Sequence, residues 1–465
     1  AVSEGNVEVE SQREGRVSRL NAQKVEVAFA GKASQAQDGT ASGGVRISQE
    51  ATPSVGAARR QGISAGGIPA SRKELTADAV RFNFQAEGRS LKDAATLGAG
   101  KLVLLPPDLK AGERIVTAGR LLMNFDNRNR LESMRGEGGT RITFLPAKDA
   151  PPGSAPQEST AERLMTVLDP ATQTMKSLNQ TGNFQFREGD RQATAERASY
   201  QTTSETLVLL GKPQIWDDEM RARAETILID LRTNTAEGLG KVQSTHFGAA
   251  NRGEPTSVLA DRVVAERQRQ TVHYEGHVRA WRGADVVESA TLDVFRSERR
   301  VSSGTQVLTS HLQPTALVDK AQAKNGKRQP RPVTIRAEHL EYLDQGRKAT
   351  YRGSVRLQTE NTTLEADRLD AFFSSPAAGK EMELERAVAD GNVKVTQPGR
   401  RATGQHAEYY SADAKIVLSG GPPSLYDAEK GFTSGRSLTF YSRDDRLVVS
   451  GGDDSATISR HRIEQ

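Results

Sequence analysis

His273 and His277 stand four residues apart in the stretch "HYEGH". Two imidazoles on one face, with a third ligand and a bound water, are how a hydrolytic zinc site is built. A strand's period of two puts both histidines on one face. No third ligand stands in pattern with them, so a coincidental pair is the better reading. "GAGKL" at Gly98 resembles part of a phosphate-cradling loop, but it lacks the first glycine of that motif. Its Lys101 is followed by Leu102 and not by Ser or Thr, which excludes the assignment. The chain has no cysteine, hence no thiol nucleophile, thiolate metal site or disulfide framework. Serines and carboxylates are scattered, and none nominates a triad or a carboxylate pair. The run Asp217–Asp218–Glu219 falls at an expected, solvated turn. The reading is a chain without catalytic residues, metal or cofactor.

The chemistry left is that of apolar side chains at alternate positions. In one stretch these are Phe184, Phe186, Leu207, Leu209, Ile227 and Ile229. In another they are Val393, Val395, Ile416, Leu418, Leu438, Phe440, Leu447 and Val449. Such rows pack as a core if the sheets carrying them close. If one side stays open, they line a trough suited to long acyl chains, at about 0.8 kcal/mol per buried CH₂.

Two recurring elements must position these residues. One is a glycine, any residue, then apolar alternation: "GNVEVE" at Gly5, "GNFQF" at Gly182, "GHVRA" at Gly276, "GSVRL" at Gly353 and "GNVKV" at Gly391. The other is an alanine, usually an acid, one residue, then an apolar start: "ADRVV" at Ala260, "AEHLEYL" at Ala337 and "ADRLDAFF" at Ala366. The two tend to alternate, and like elements recur at about 30 to 40 residues, a spacing typical of repeat folds. Alternation between glycines reads as half-buried strands. Glycine is expected at corners, the alanine where two layers approach, and its acid in solvent. No stretch carries a long helical spacing; "AERLMTV" at Ala161 is the one candidate for a turn or two of helix.

Composition agrees with thin sheets. Of 465 residues 35% are hydrophobic, only 5% are aromatic and 42 are glycine, which does not suit one thick core. The net charge is +5, with both signs interspersed, so no nucleic-acid footprint is expected. Three segments break the beat and read as loops or linkers: 50–72, Pro/Ser-rich 146–160 and basic 318–333. No window reaches the roughly 20 apolar residues of a membrane helix. The chain opens "AVSEGNVEVE", without Met and already in the strand pattern, so a leader or anchor is expected to precede it.

The stretch "DGNVKVTQPGRRATGQHAEYYSADAKIVLSGGPPSLYDAEKGFTSGRSLTFYSRDDRLVVSGG" resembles the OstA-like family of bacterial lipopolysaccharide-transport proteins. The family's beat is met at Gly391, from Ala402 to Tyr409, from Ile416 to Tyr426, from Gly435 to Tyr441 and from Leu447 to Gly451. A second full copy begins at Thr181, with Ala222 standing for a usual glycine. The resemblance is closest over 181–247 and 334–452, looser over 256–315, and limited to isolated strands over 1–145.

The resemblance implies an all-β fold of tandem, twisted, open β-jellyroll units, V-shaped in section and stacked into an elongated repeat structure. It implies a periplasmic, non-enzymatic protein that carries the acyl chains of lipopolysaccharide (lipid A) in an apolar groove from inner to outer membrane. The expected partners are lipopolysaccharide, other OstA-like components, an inner-membrane ATP-driven extractor and an outer-membrane translocon. End-to-end self-association through terminal strands at Gly5 and at Gly452 is also expected. The layout is 1–145 as divergent repeats, 146–160 as linker, 161–317 as jellyroll, 318–333 as basic linker and 334–465 as the C-terminal jellyroll. A structural or adhesive β-solenoid with a closed core is the rival reading. A polysaccharide-active β-helix would need clustered carboxylates and exposed aromatics, and aromatics are scarce.

Overall fold

The computed structural model describes residues 1–13, 16–30, 35–51, 72–105, 112–147, 150, 154–172, 174–247, 254–313, 331–374, 384–441, 446–451 and 457–460. These residues form 34 strands and no helix, as the alternation predicts. Contacts divide the chain into two compact units, Ala1–Gly238 and Leu239–Gln465.

Within each unit, successive stretches of chain pair antiparallel, and each stretch is a rung bent at a corner into two arms. Arg191–Gln201 shows the arrangement in the first unit. Its Arg197–Gln201 half pairs with Thr206–Leu210, while Gln192–Thr194 pairs with Gln214–Trp216. Arg400–Tyr410 does the same in the second unit, with Lys415–Ser419 on one arm and Ser424–Asp427 on the other. These are the β-jellyroll units that the resemblance implies.

The two sequence elements are the two kinds of corner. At an alanine corner the inward face switches register. Ala161, Ala337 and Ala366 are buried, the next two residues of each point out, and Leu164, Leu340 and Leu369 are buried again. The small side chain fits where the arms converge. At a glycine corner, two residues of one strand oppose one of its neighbour, and the ladder shifts between Thr181 and Phe184, Glu275 and Val278, Arg352 and Val355, and Asp390 and Val393. Such a bulge bends a strand. Gly391 and Asn392 both have positive φ there, 78° and 49°, which favours glycine first and a small polar residue second. The corner therefore lies inside a strand and not between two strands, as had been expected.

The two corners meet in neighbouring rungs. Glu162 accepts a hydrogen bond from Asn183 Nδ2 at 2.8 Å, Glu338 from Ser354 Oγ at 3.1 Å, and Asp367 from Asn392 Nδ2 at 2.9 Å. Asp261 is bonded to His277 Nδ1 at 2.7 Å. The acids do face solvent, as expected, but each also braces the bulge of the next rung. One acid corner and one glycine corner make the repeat, which is why the elements alternate.

Several expectations need correction. "AERLMTV" is not helical; it lies in the strands Gln157–Ala161 and Arg163–Leu168. Its three-residue spacing from Ala161 to Leu164 mimics a helical turn because an alanine corner places two residues outward in succession. Across the 146–160 segment Phe144 pairs with Gln157, so the strands that flank it are neighbours. Glu50 likewise pairs with Arg72, and Gln313 with Arg331. The segments 52–71 and 314–330, with most of the expected basic linker, lie outside the described residues. The glycine that the Thr181 copy lacks corresponds to Ala224, not Ala222. Ala224 N donates to the Pro213 carbonyl as Gly435 N does to Pro423.

Candidate functional site

In the second unit the arms of the last rungs part around an open, apolar-walled cavity. One wall comes from Leu384–Gln397, Arg400–Tyr410 and Ser424–Asp427, which contribute Val395, Ala402 and Leu425. The facing wall comes from Lys415–Ser419, Ser437–Tyr441 and Arg446–Ser450, which contribute Ile416, Leu418, Leu438, Phe440 and Leu447. Ile416 pairs with Phe440 and Leu418 with Leu438, so alternate residues of adjacent strands stand on one surface.

Burial falls from the corner to the arm tips. Val393, Val395, Leu418 and Leu438 are buried, Ile416, Leu447 and Val449 are half-buried against the same core, and Phe440 is half-buried in the cavity wall. The first unit repeats the gradient. Phe184, Leu209 and Ile227 are buried; Phe186, Leu207 and Ile229 pack half-buried beside them. The fourteen residues picked out by alternation thus all face the interior. Those beside the corner serve as core, and those nearer the tips retain exposed apolar surface.

Polar side chains cap one lip of the cavity. Arg400 Nε donates to Asp427 Oδ2 at 2.7 Å, and Asp427 Oδ1 accepts from the backbone N–H groups of Glu429 and Lys430 at 2.9 and 3.0 Å. Burial opposes the Asp427 charge, but these N–H donors and the Arg400 guanidinium hold the carboxyl below the usual carboxylate range. The guanidinium carbon lies 5.8 Å from the Phe440 ring centroid on the opposite arm. Arg400 and Asp427 were not picked out from the sequence. They continue the inward rows of Ala402 and Leu425 by two residues each, so following the alternation past its apolar members would have found them.

Elsewhere in the second unit two buried tyrosines occupy the interior. Tyr274 is fully buried, with its hydroxyl 2.6 Å from both Ser244 Oγ and His246 Nε2. Tyr351 is buried in the same way, 3.0 Å from Thr309 Oγ1 and 3.4 Å from His311 Nε2. Burial pushes both phenols up to about 12, so neither is a base or nucleophile at neutral pH. His273 and His277 do not share a ligand. His273 bonds Asp293 at 2.6 Å and His277 bonds Asp261, since the Gly276–His277 bulge breaks the period between them. Asp217 caps its own turn, accepting from the N–H groups of Glu219 and Met220.

No curated protein matches the chain. Among solved structures it is similar to the crystal structure of LptH, the LptA homologous periplasmic component of the conserved lipopolysaccharide transport device from Pseudomonas aeruginosa. That match has a TM-score of 0.23 and 17% identity, and covers 29% of this chain and 92% of that one. The sequence profile of the family described as LptA/(LptD N-terminal domain) LPS transport protein matches residues 72–235 and 334–443. Those two spans take in more than half of the chain, and with them most of the corners and the walls of the cavity. The chain belongs to the LptA/(LptD N-terminal domain) family of LPS transport proteins.

Proposed function

We propose that the chain holds the acyl chains of lipopolysaccharide between the arms of its rungs and passes the lipid across the periplasm, without catalysing a reaction. The observation that carries this reading is the open cavity walled by apolar residues of both arms and lined by charged side chains at one lip. An acyl chain laid against Ile416, Phe440 and Leu447 would bury surface now half-exposed, at about 0.8 kcal/mol per CH₂. The protein supplies a path and no energy. In this reading an inner-membrane ATP-driven extractor loads it and an outer-membrane translocon receives the lipid. Among the described residues, Arg446–Ser450 pairs with a strand on one side, Ser437–Tyr441, and its other edge would receive a strand of a second copy or a similarly folded partner.

A photo-reactive residue tests the reading. At Ile416 or Phe440 it crosslinks to lipopolysaccharide; at the outward-facing Lys415 or Thr439 it does not. Equal crosslinking from both faces would return these residues to the role of plain core, and the closed solenoid would gain.

A further inference from the structure

Two tyrosines interrupt the apolar interior of the second unit, at the same place in two rungs. Tyr274 stands two residues before the corner glycine Gly276, and Tyr351 two residues before Gly353. The strand halves that carry them belong to one arm. Thr271–Glu275 pairs with the stretch ending at Phe295, which leads through Arg300–Ser303 and His339–Leu343 to Lys348–Arg352. Each hydroxyl reaches the facing arm. Tyr274 meets Ser244 Oγ and His246 Nε2, in the half of Thr235–His246 that follows the Gly240 corner. Tyr351 meets Thr309 Oγ1 and His311 Nε2. Thr309 pairs with Val287, whose own partner Ala280 lies beyond the Gly276 corner. Asp285 Oδ1, 3.0 Å from His311 Nδ1, steadies that imidazole.

The two sites are one motif used twice. On one arm stand a Ser or Thr and, two residues on, a His; on the other stands a Tyr two residues before a corner glycine. The strand that gives Val395 to the cavity wall has Ala389 at the equivalent position before Gly391. Its methyl group has no polar atom with which to tie the arms. The tyrosine rungs are therefore clasped, and the alanine rung borders the open cavity. A leucine or phenylalanine would fill the tyrosine positions with no polar group to satisfy. A hydroxyl bonded to neutral partners fills them with a tie whose net worth is small and whose breaking is cheap.

We infer that Tyr274 and Tyr351 are two gates in the interior of the second unit, which tie its arms together and part when an acyl chain passes between them. This rests on the lipid-carrying reading above and adds to it a control point ahead of the cavity. Tyr342 reports on the space between the gates. It is half-buried against the core, on the strand next to that of Tyr351 and on the side toward Tyr274. It also stands in one inward cross-strand row with Tyr409, Ile416 and Phe440.

The test uses the whole chain with purified lipopolysaccharide as the probe and a photo-reactive residue at Tyr342 or at Phe440. With the gates intact, crosslinking at Phe440 should exceed that at Tyr342 by about fivefold or more, the worth of one neutral hydrogen bond. Tyr274→Phe with Tyr351→Phe keeps both rings and removes both ties. It should raise crosslinking at Tyr342 by about the same factor and leave that at Phe440 unchanged. Tyr426→Phe, on an exposed outer face, should alter neither. Melting curves on every variant keep an opened gate apart from an unfolded unit. Where the double variant does not fold, Tyr351→Phe alone should move Tyr342 crosslinking in the same direction. A folded variant with unchanged crosslinking at Tyr342 overturns the gates and leaves lipid binding at Phe440 standing. Equal crosslinking at Tyr342 and Phe440 in the intact chain overturns them too, since the interior would already be open. Crosslinking at neither position overturns the lipid-carrying reading itself.

Discussion

Asp367 and Asn392 join across two rungs: Asn392 Nδ2 donates to Asp367 Oδ2 at 2.9 Å, directly over the Gly391 backbone. A Cβ at Gly391 would come 2.3 Å from that same carboxylate oxygen, and its φ of 78° is strained for any other residue. Gly391→Ala should therefore cost about 1–3 kcal/mol, and Asp367→Ala about 0.5–1.5 kcal/mol. The double variant should be more stable than the sum of the two losses, because removing the acid relieves the clash and leaves only the φ strain. Urea denaturation of the four proteins measures this; strict additivity would mean that the acid does not brace the corner.

Phe440 stands near the cavity mouth, half-buried and facing Arg400. Phe440→Asp should weaken lipid loading strongly, since a carboxylate there must be desolvated against hydrocarbon. Thr439→Asp, one residue away on the outer face, should leave loading unchanged. Both variants need melting curves alongside the loading assay, because Phe440 is half-buried and paired on both sides, with Ile416 and Leu447. Equal loss of loading in the two, or loss that tracks stability alone, would remove Phe440 from the trough.

Much of this was legible in the sequence because both periodicities are local. Alternation fixed which of Ile416, Leu418, Leu438 and Phe440 face inward, and the resemblance supplied the bent jellyroll. What alternation cannot express is a corner. A bulge at Gly276–His277 misplaces His277, and two outward residues between Ala161 and Leu164 imitate a helix. The pairing of Asp367 with Gly391 joins residues 24 positions apart, which no local pattern contains. The charged lip escaped for another reason: Arg400 and Asp427 hold inward positions but are polar, so a search for apolar alternation stops one step short of them.

His406 sits on the outer face of one arm, its Nδ1 2.6 Å from Asp390 and its Nε2 3.1 Å from Glu408. The Asp390 hydrogen bond, opposed by partial burial and aided by Glu408, raises the imidazole above its ordinary 6.5. A group with a raised folded pKa contributes stability that is full below 6.5 and is lost as pH rises through the folded value. His406→Gln should thus cost about 0.5 kcal/mol at about pH 5.5, a magnitude set by the pair's solvent exposure, and almost nothing at about pH 9. Melting curves at the two pH values decide it. An equal cost at both would assign the residue to packing.

Lys73 behaves in the opposite sense. Burial first, then Arg16, lowers its pKa from 10.5 to about 8. The folded chain therefore binds fewer protons than the unfolded chain between those values. The destabilisation from the charged amine is full below about 8 and is relieved as pH climbs toward 10.5. Lys73→Met should raise Tm at neutral pH by about 2 °C, and the advantage should shrink to nothing above about pH 10. A residue kept only for the fold would not improve stability when removed. A lower Tm for Lys73→Met at neutral pH would instead tie the amine to the fold.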